Sequence, residues 1–210
     1  MLQQRSHKTV LAAPGLIHPG PRPTAELITL LKRFHENEID LVHTRRPGTL
    51  PRLLDHAPAR VVLYMHRQSL PGTWVTALER YVEEGGSLLA LHSASASLKG
   101  NTQYGRLLGG IFSGHGPVSE FSVHDTGTGV TDQPFTILDE RYQHQLTQPV
   151  SVLLVSDTEP VCWTHTVGKG RVAYLSLGHC TGVFSHPAVR SVMEHLWAWL
   201  SAIAECRELS

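Results

Sequence analysis

The chain has 210 residues, and its 18 basic and 18 acidic side chains give a net charge of zero when histidine is neutral. This balance gives no electrostatic reason to expect binding to nucleic acid or to an anionic membrane. The three cysteines, Cys162, Cys180 and Cys206, show no CxxC spacing, which argues against a disulfide framework or a cysteine zinc site. No apolar stretch is long enough for a signal-peptide core or a membrane span, so we expect a cytoplasmic protein.

Short apolar runs alternate with helical patterns in the first half of the chain. The predicted strands are Thr9–Ala13, Ile39–Val42, Arg60–Met65 and Ser87–Leu91. The helices between them are predicted to begin near Thr24, near Thr49 and near Gly72. The strands are too apolar to face water, which is typical of a parallel sheet covered by helices on both faces.

The second half departs from this alternation. It contains an extended segment at Glu120–His124, the polar segment DERYQHQ and an apolar strand at Val150–Val155. Two further strand-like runs, Val161–Val167 and Arg171–Leu177, flank a Gly-Lys-Gly turn and predict a β-hairpin. The last helix begins near His186 and turns six apolar residues toward the core: Val189, Val192, Met193, Leu196, Trp197 and Leu200.

With no repeat and no linker, the pattern predicts one domain spanning residues 1–210. Its fold class is α/β, with a single-domain, doubly wound, mostly parallel sheet that ends in a C-terminal β-hairpin and helix.

Five histidines lie at or just beyond the ends of predicted strands: His18, His43, His66, His92 and His179. Because the carboxyl ends of parallel strands share one edge of the sheet, their imidazoles are expected to face a common crevice.

These histidines differ in their neighbours. His92 and His179 are flanked by small residues, among them Ser93 and Gly178, which permit close approach of a ligand, so we expect both to be functional. His115 lies in a similar Ser-Gly-His-Gly-Pro segment. His18 is equally consistent with a ligand contact and a loop anchor. We expect the others to be solvated at the rim or to fill surface and core positions: His43, His66, His124, His144, His165, His186 and His195.

The turn after the fourth strand has the layout of a nucleophile elbow. A serine nucleophile is weakly supported, because the segment LHSAS lacks the glycines of GxSxG. A cysteine nucleophile has less support, because no cysteine follows this strand.

From about Val75 onward the chain contains four notable segments: GGSLLALHSAS, YGRLLGGIFSGHGP, DERY and PVCWTHTVGKGRVAYLSLGH. Together they resemble the ThuA-like (trehalose utilisation) family, whose fold is similar to that of class I glutamine amidotransferases. The resemblance therefore implies a flavodoxin-like, class I glutamine amidotransferase-like sheet. Members of the family usually carry His-Asp after the first strand, where this chain has His18-Pro19.

The resemblance implies a role in carbohydrate metabolism, with trehalose, other disaccharides or 3-keto sugars as the substrate class. Amidotransferases of this fold place a cysteine on the turn where this chain has His92. They complete the triad with His-x-Glu, where this chain has His179-Cys180-Thr181. Without nucleophile and acid, glutamine hydrolysis through a thiolate is excluded on chemical grounds.

The candidate catalytic residues are His92, His115, His179 and Glu140, the last of which is selected by the resemblance. Such groups can transfer protons to and from sugar hydroxyls or carbonyls near neutral pH. They can also hold a divalent metal such as zinc, which we rank lower because neither HxxxH nor HxH spacing is present.

The candidate substrate-binding residues are His18, Ser93, Tyr142, Trp163 and Gly178. Tyr142 and Trp163 are candidates for stacking against a sugar, although the apolar strand around Trp163 favours core packing.

Two hypotheses of different classes follow. The first is a sugar-active hydrolase or isomerase/lyase that uses histidine acid/base chemistry. The second is a non-catalytic sugar-binding or regulatory protein on a degenerate amidotransferase scaffold. The expected partner in either case is a small carbohydrate, while nucleic acid and membrane are not expected and a homo-oligomer remains open.

Overall fold

The computed structural model describes residues 6–15, 19–34 and 41–202, which form nine strands and five α-helices. The strands are β1 Ser6–Ala12, β2 Leu41–Thr44, β3 Pro58–Leu63, β4 Ser87–Leu91, β5 Gly110–Asp125, β6 Phe135–Leu146, β7 Ser151–Ser156, β8 Glu159–Val167 and β9 Gly170–Leu175. The helices are α1 Pro21–Arg33, α2 Leu50–Leu54, α3 Trp74–Glu83, α4 Thr102–Leu108 and α5 Pro187–Ser201.

All nine strands join one mixed sheet in the order β2-β1-β3-β4-β9-β8-β7-β5-β6. The first five are mutually parallel, and the pairings from β9 through β8, β7 and β5 to β6 are antiparallel. The α/β class is therefore confirmed, while the parallel arrangement applies to the half of the sheet that contains β4 and β9.

Strand β4, which lies between β3 and β9, is buried along its whole length, and its successive side chains point to opposite faces of the sheet. Leu89 and Leu91 of β4 pack into the core cluster that includes α1 and α5. Leu88 and Ala90 of the same strand pack into the cluster that includes α2, α3 and α4. Each face of β4 is thus covered by helices, and its carboxyl end leads directly to His92.

Several predicted elements agree with the structure. β4 has the predicted bounds, the hairpin of β8 and β9 is present, and all six predicted core residues of α5 are buried. Other boundaries differ. α1 begins at Pro21 rather than near Thr24, because proline suits the first turn of a helix, and the Thr24 hydroxyl donates to the Gly20 carbonyl at 2.8 Å. The predicted start of the second strand at Ile39, the tail after Ile203 and Cys206 lie outside the described residues.

The largest difference from the prediction is the β5–β6 pair, which has 16 and 12 residues where the sequence indicated one short extended segment and a polar stretch. Much of β5 is exposed and rich in glycine and serine, so it lacks the alternation of apolar and polar residues that identifies a strand. These strands form through pairing with each other, and two irregularities interrupt their register, one of them between His115 and Val118. This pair carries His115 and Glu140 toward the end of β4.

The turn between β8 and β9 packs closely against the end of α3. A Cβ atom at Gly170 would lie 2.1 Å from the Val82 carbonyl oxygen and 2.4 Å from that of Gly86. Both atoms belong to the backbone, so a side chain at Gly170 requires one of these segments to move.

We therefore expect Gly170→Ala to lower the free energy of unfolding by about 1–3 kcal/mol or more, as overpacking does. Gly72→Ala is the matched control, because a Cβ atom there meets nothing within 4 Å. Urea denaturation of both variants measures the difference, and equal stability would contradict the packing described here.

Candidate functional site

His92 lies directly after β4 and begins a 3₁₀ turn, His92–Ala94. It is fully buried, and its φ is 44°, a backbone conformation that is rare for any residue other than glycine. Such a conformation costs of order 1–3 kcal/mol and is found mainly at functional sites. The strand, sharp turn and short helix reproduce the elbow layout predicted from the sequence.

The contacts of the His92 ring define its protonation. Nδ1 lies 2.8 Å from the Ser176 carbonyl oxygen, which can only accept a hydrogen bond, so Nδ1 carries a proton. In the neutral ring Nε2 is then an acceptor, and the Tyr142 hydroxyl lies 3.2 Å from it. Burial, with the nearby Glu140 and Asp139, raises the pKa of Tyr142 above its ordinary value. The hydroxyl therefore stays protonated and donates a hydrogen bond to Nε2.

Glu140 on β6 lies at the centre of three imidazoles. Its Oε2 is 3.1 Å from Nδ1 of His179 and 3.6 Å from Nε2 of His92. Its Oε1 is 3.6 Å from Nδ1 of His115. The Glu140 side chain is 12% exposed, so only a small part of it is accessible to solvent. The structure thus brings together all four residues that were predicted as catalytic.

The irregular register of β5 helps to place these groups. His115 is paired with Tyr142, and Val118 is paired with Glu140, so the residues between His115 and Val118 bulge out of the ladder. Bulges of this kind redirect side chains next to functional sites.

Asp139, which sequence analysis missed, holds the segment that carries His179. Its carboxylate accepts hydrogen bonds from the backbone N–H groups of Gly178 at 2.7 Å, His179 at 2.9 Å and Cys180 at 3.1 Å. Burial raises the pKa of Asp139, and the backbone N–H groups act in the opposite direction. The sequence carried no signal for this role, because an acidic residue beside Glu140 in a polar segment does not indicate burial.

Gly178, which was predicted to permit close approach of a ligand, packs in the structure against His92 and Phe184 and does not line the cavity. Its φ is 143°, and a Cβ atom there would lie 3.1 Å from the His92 Cβ and 3.1 Å from the Phe184 ring. The close approach therefore serves the packing of the His179 segment against His92.

Aromatic rings line the approach to the carboxylate. The Tyr142 ring centroid is 4.3 Å from that of His92, 5.5 Å from that of His115 and 4.7 Å from that of Phe112. Lys99 places its Nζ 5.4 Å from the centroid of Phe112. Phe112 and Lys99 were not identified from the sequence, because neither follows a predicted strand.

A cavity of about 530 Å³ opens beside Glu140, which is within the usual range for small-molecule sites. His92 lies behind its wall. The lining residues are His66, Ala96, Lys99, Phe112, Ser113, Gly114, His115, Glu140, Tyr142 and His179.

Other predicted residues are placed differently. Trp163 is fully buried, and its Nε1 donates a hydrogen bond to the Leu108 carbonyl at 2.8 Å. It does not line the cavity, so it is placed for core packing and not for stacking against a sugar. Ser93 is also fully buried and does not line the cavity. His66, which was expected to be solvated at the rim, is partly exposed and lines the cavity. His43 places Nε2 2.8 Å from the Ala13 carbonyl oxygen. His18 lies outside the described residues.

The described cysteines, Cys162 and Cys180, are both free. Burial, followed by the nearby Asp139 and Glu140, raises the pKa of the Cys180 thiol, which disfavours the thiolate. Cys180 also follows β9 and not β4, so it does not replace the cysteine that an amidotransferase elbow requires.

These features define an α/β protein with an imidazole on its elbow and a carboxylate–imidazole cluster beside a cavity. The sequence profile of the ThuA family, described as trehalose utilisation, matches residues 18–200. The chain therefore belongs to the ThuA family, as the resemblance indicated. No curated protein matches the chain.

Solved structures share the fold. A ThuA-like protein from Bacteroides uniformis matches with a TM-score of 0.73 and 18% identity over 95% of this chain and 93% of that one. A ThuA-like protein from Parabacteroides merdae matches with a TM-score of 0.77 and 15% identity over 94% and 91%. A β-galactosidase from Bacillus circulans sp. alkalophilus matches with a TM-score of 0.61 and 14% identity over 90% of this chain but 31% of its own.

Among the described residues, no helix combines the length and apolar character needed to cross a membrane.

We expect Asp139→Ala to lower the free energy of unfolding by about 2 kcal/mol or more, because it leaves three backbone N–H groups without their acceptor. Asp132→Ala, at an exposed loop position, is the control and should have little effect. Urea denaturation compares the two. A loss in Asp139→Ala no larger than the control's would show that the carboxylate does not hold the Gly178–Cys180 segment.

A pH-dependent contribution to stability comes from His144, whose Nε2 is 3.0 Å from the Ser95 hydroxyl oxygen and whose pKa burial lowers from 6.5 to about 3. The unfolded chain therefore binds more protons at this residue below pH 6.5, so the contribution is full above that pH and is lost as the pH falls toward 3. In His144→Gln, we expect the decline in stability from pH 6.5 to about pH 5 to be shallower by at most about 1.4 kcal/mol per pH unit. Urea denaturation at several pH values measures both slopes, and parallel slopes would contradict the expectation.

Proposed function

We propose that this ThuA-family protein is a sugar-active enzyme of carbohydrate metabolism, of the hydrolase or isomerase/lyase type. The observation that carries the proposal is the Glu140 carboxylate, held within 3.6 Å of three imidazoles at the wall of a cavity. Family membership supports a role in carbohydrate metabolism. The substrates we propose are disaccharides such as trehalose, or 3-keto sugars.

The chemistry that suits these groups is proton transfer. Glu140, His115 and His179 all line the cavity, so a bound sugar can reach a carboxylate and two imidazoles. One group can take a proton from a hydroxyl, or from a carbon next to a keto group, while another gives a proton to the departing oxygen. Histidine titrates near neutral pH without large perturbation, so it can serve in either role.

The cavity also offers the two kinds of surface that a sugar requires. The Phe112 and Tyr142 rings supply apolar faces, and Lys99 and Glu140 supply polar groups. We propose Tyr142 as a substrate contact on this basis, in place of the buried Trp163.

The proposed chemistry differs from glutamine hydrolysis. His92 occupies the elbow, is fully buried and bonds to the Ser176 carbonyl, so it does not present a nucleophile to the cavity. The raised pKa of the Cys180 thiol likewise gives no support for thiolate chemistry.

We also propose that the fold is a doubly wound sheet and that the protein is cytoplasmic. The strand order β2-β1-β3-β4 and the helices on both faces support a doubly wound, flavodoxin-like and amidotransferase-like arrangement within one domain. The free Cys162 and Cys180 support a reducing, cytoplasmic setting.

The test is turnover of 3-keto-trehalose and other 3-keto-glycosides by Glu140→Gln, which keeps the shape of the side chain and removes its charge. We expect kcat to fall by about 10²–10⁴-fold, the usual contribution of a general acid or base. Glu194→Gln is the matched control, because Glu194 is exposed on α5 and does not line the cavity.

Unchanged turnover in Glu140→Gln would overturn the assignment of this carboxylate. If the wild-type protein instead binds disaccharides saturably in calorimetry and forms no product over long incubation, the hypothesis of a non-catalytic sugar-binding protein replaces that of an enzyme.

A further inference from the structure

We propose that His92, Glu140 and His179 form a binding site for a divalent metal ion, with zinc the ion that suits this donor set best. The inference concerns the site of the proposed function and rests on it for its place in the chemistry. The three residues come from the end of β4, from β6 and from the segment after β9, so no short sequence motif joins them.

The first support is distance. One ligand atom from each residue lies within 4.8 Å of the others. Glu140 Oε2 is 3.1 Å from His179 Nδ1 and 3.6 Å from His92 Nε2. In a tetrahedral zinc site with bonds of about 2.0–2.1 Å, neighbouring ligand atoms lie about 3.3 Å apart. Two of the three donor separations are therefore close to the value in a zinc site, and the third is within 4.8 Å.

The second support is the orientation of His92. Because Nδ1 donates to the Ser176 carbonyl at 2.8 Å, Nε2 of the neutral ring carries no proton and is available as a ligand atom, 3.6 Å from Oε2 of Glu140. Metal-binding histidines typically donate their other N–H to a backbone carbonyl or a carboxylate, which fixes the ring. The Tyr142 hydroxyl, 3.2 Å from Nε2, makes the hydrogen bond that an ion would replace.

The third support is the rigidity of the surroundings. Asp139 fixes the backbone of His179 through its hydrogen bonds to the Gly178–Cys180 segment. His115 lies 3.6 Å from Oε1 of Glu140, whereas the other two imidazoles contact Oε2. A site prepared in this way loses little entropy on binding an ion.

The donor set distinguishes between ions. Two imidazole nitrogens and one carboxylate oxygen suit zinc and other first-row transition metals, whereas magnesium and calcium prefer oxygen ligands alone. Three protein ligands leave a coordination position for water or substrate, as in catalytic zinc sites. Since Glu140 and His179 line the cavity, that position is reachable from it. A metal there supplies polarisation of a sugar hydroxyl or carbonyl, and His115 remains for proton transfer.

The test is calorimetry with zinc chloride on chelator-treated protein, together with elemental analysis of the purified chain. We expect about one zinc ion per chain, with magnesium binding at least 100-fold more weakly. We expect Glu140→Gln and His179→Ala to weaken zinc binding by more than the roughly 10–100-fold that loss of a supporting partner costs.

Two variants serve as controls. Tyr142→Phe removes the hydroxyl that competes for His92 Nε2 and should bind zinc at least as tightly as the wild type. His124→Ala removes an exposed histidine of β5 and should leave the affinity unchanged. Circular dichroism checks that each variant is folded.

Absence of stoichiometric zinc binding by the wild type would overturn the inference, as would full binding by both Glu140→Gln and His179→Ala. The proposed function fails separately. A protein that binds no zinc but turns over a 3-keto-glycoside retains the acid/base function without the metal site. One that binds zinc through these residues but transforms no sugar retains the metal site without the proposed activity.

Discussion

The site depends on one buried interaction, the Asp139 carboxylate with the backbone N–H groups of Gly178, His179 and Cys180. It joins the antiparallel half of the sheet, which contains β6, to the segment that follows β9 in the parallel half. A buried charge is tolerated only when its hydrogen bonds are satisfied, and three backbone donors meet that requirement. His179 and Glu140 are thereby held 3.1 Å apart although they lie on different parts of the chain.

Adjacent acidic residues on β6 have different tasks. Asp139 is fully buried, and its described hydrogen bonds are all to backbone groups, so its role is to position the Gly178–Cys180 segment. Glu140 contacts three imidazoles and the cavity, so it is available for chemistry. Composition alone does not separate two such neighbours. The distinction comes from which side of the strand meets the core.

The sequence was informative where burial imposes a pattern. β4 could be located because five apolar or small residues end at a polar one, and α5 because its apolar residues recur with the helical period. The β5–β6 pair could not, because its exposed residues impose no such pattern and its strands depend on each other. Glu140 was therefore identified by family resemblance rather than by its own surroundings, while Asp139 and Phe112 were missed.

The surroundings of the elbow explain how a histidine is held at its turn. At φ of 44° the turn at His92 is strained, and a strained residue persists only where its surroundings fix it. Here the Ser176 carbonyl fixes the ring at Nδ1, Tyr142 and Glu140 meet it at Nε2, and Gly178 gives it room. The imidazole reaches Glu140 and completes a cluster of nitrogen and oxygen donors. The strained turn thus places an imidazole where both the proposed proton transfer and the proposed metal site require one.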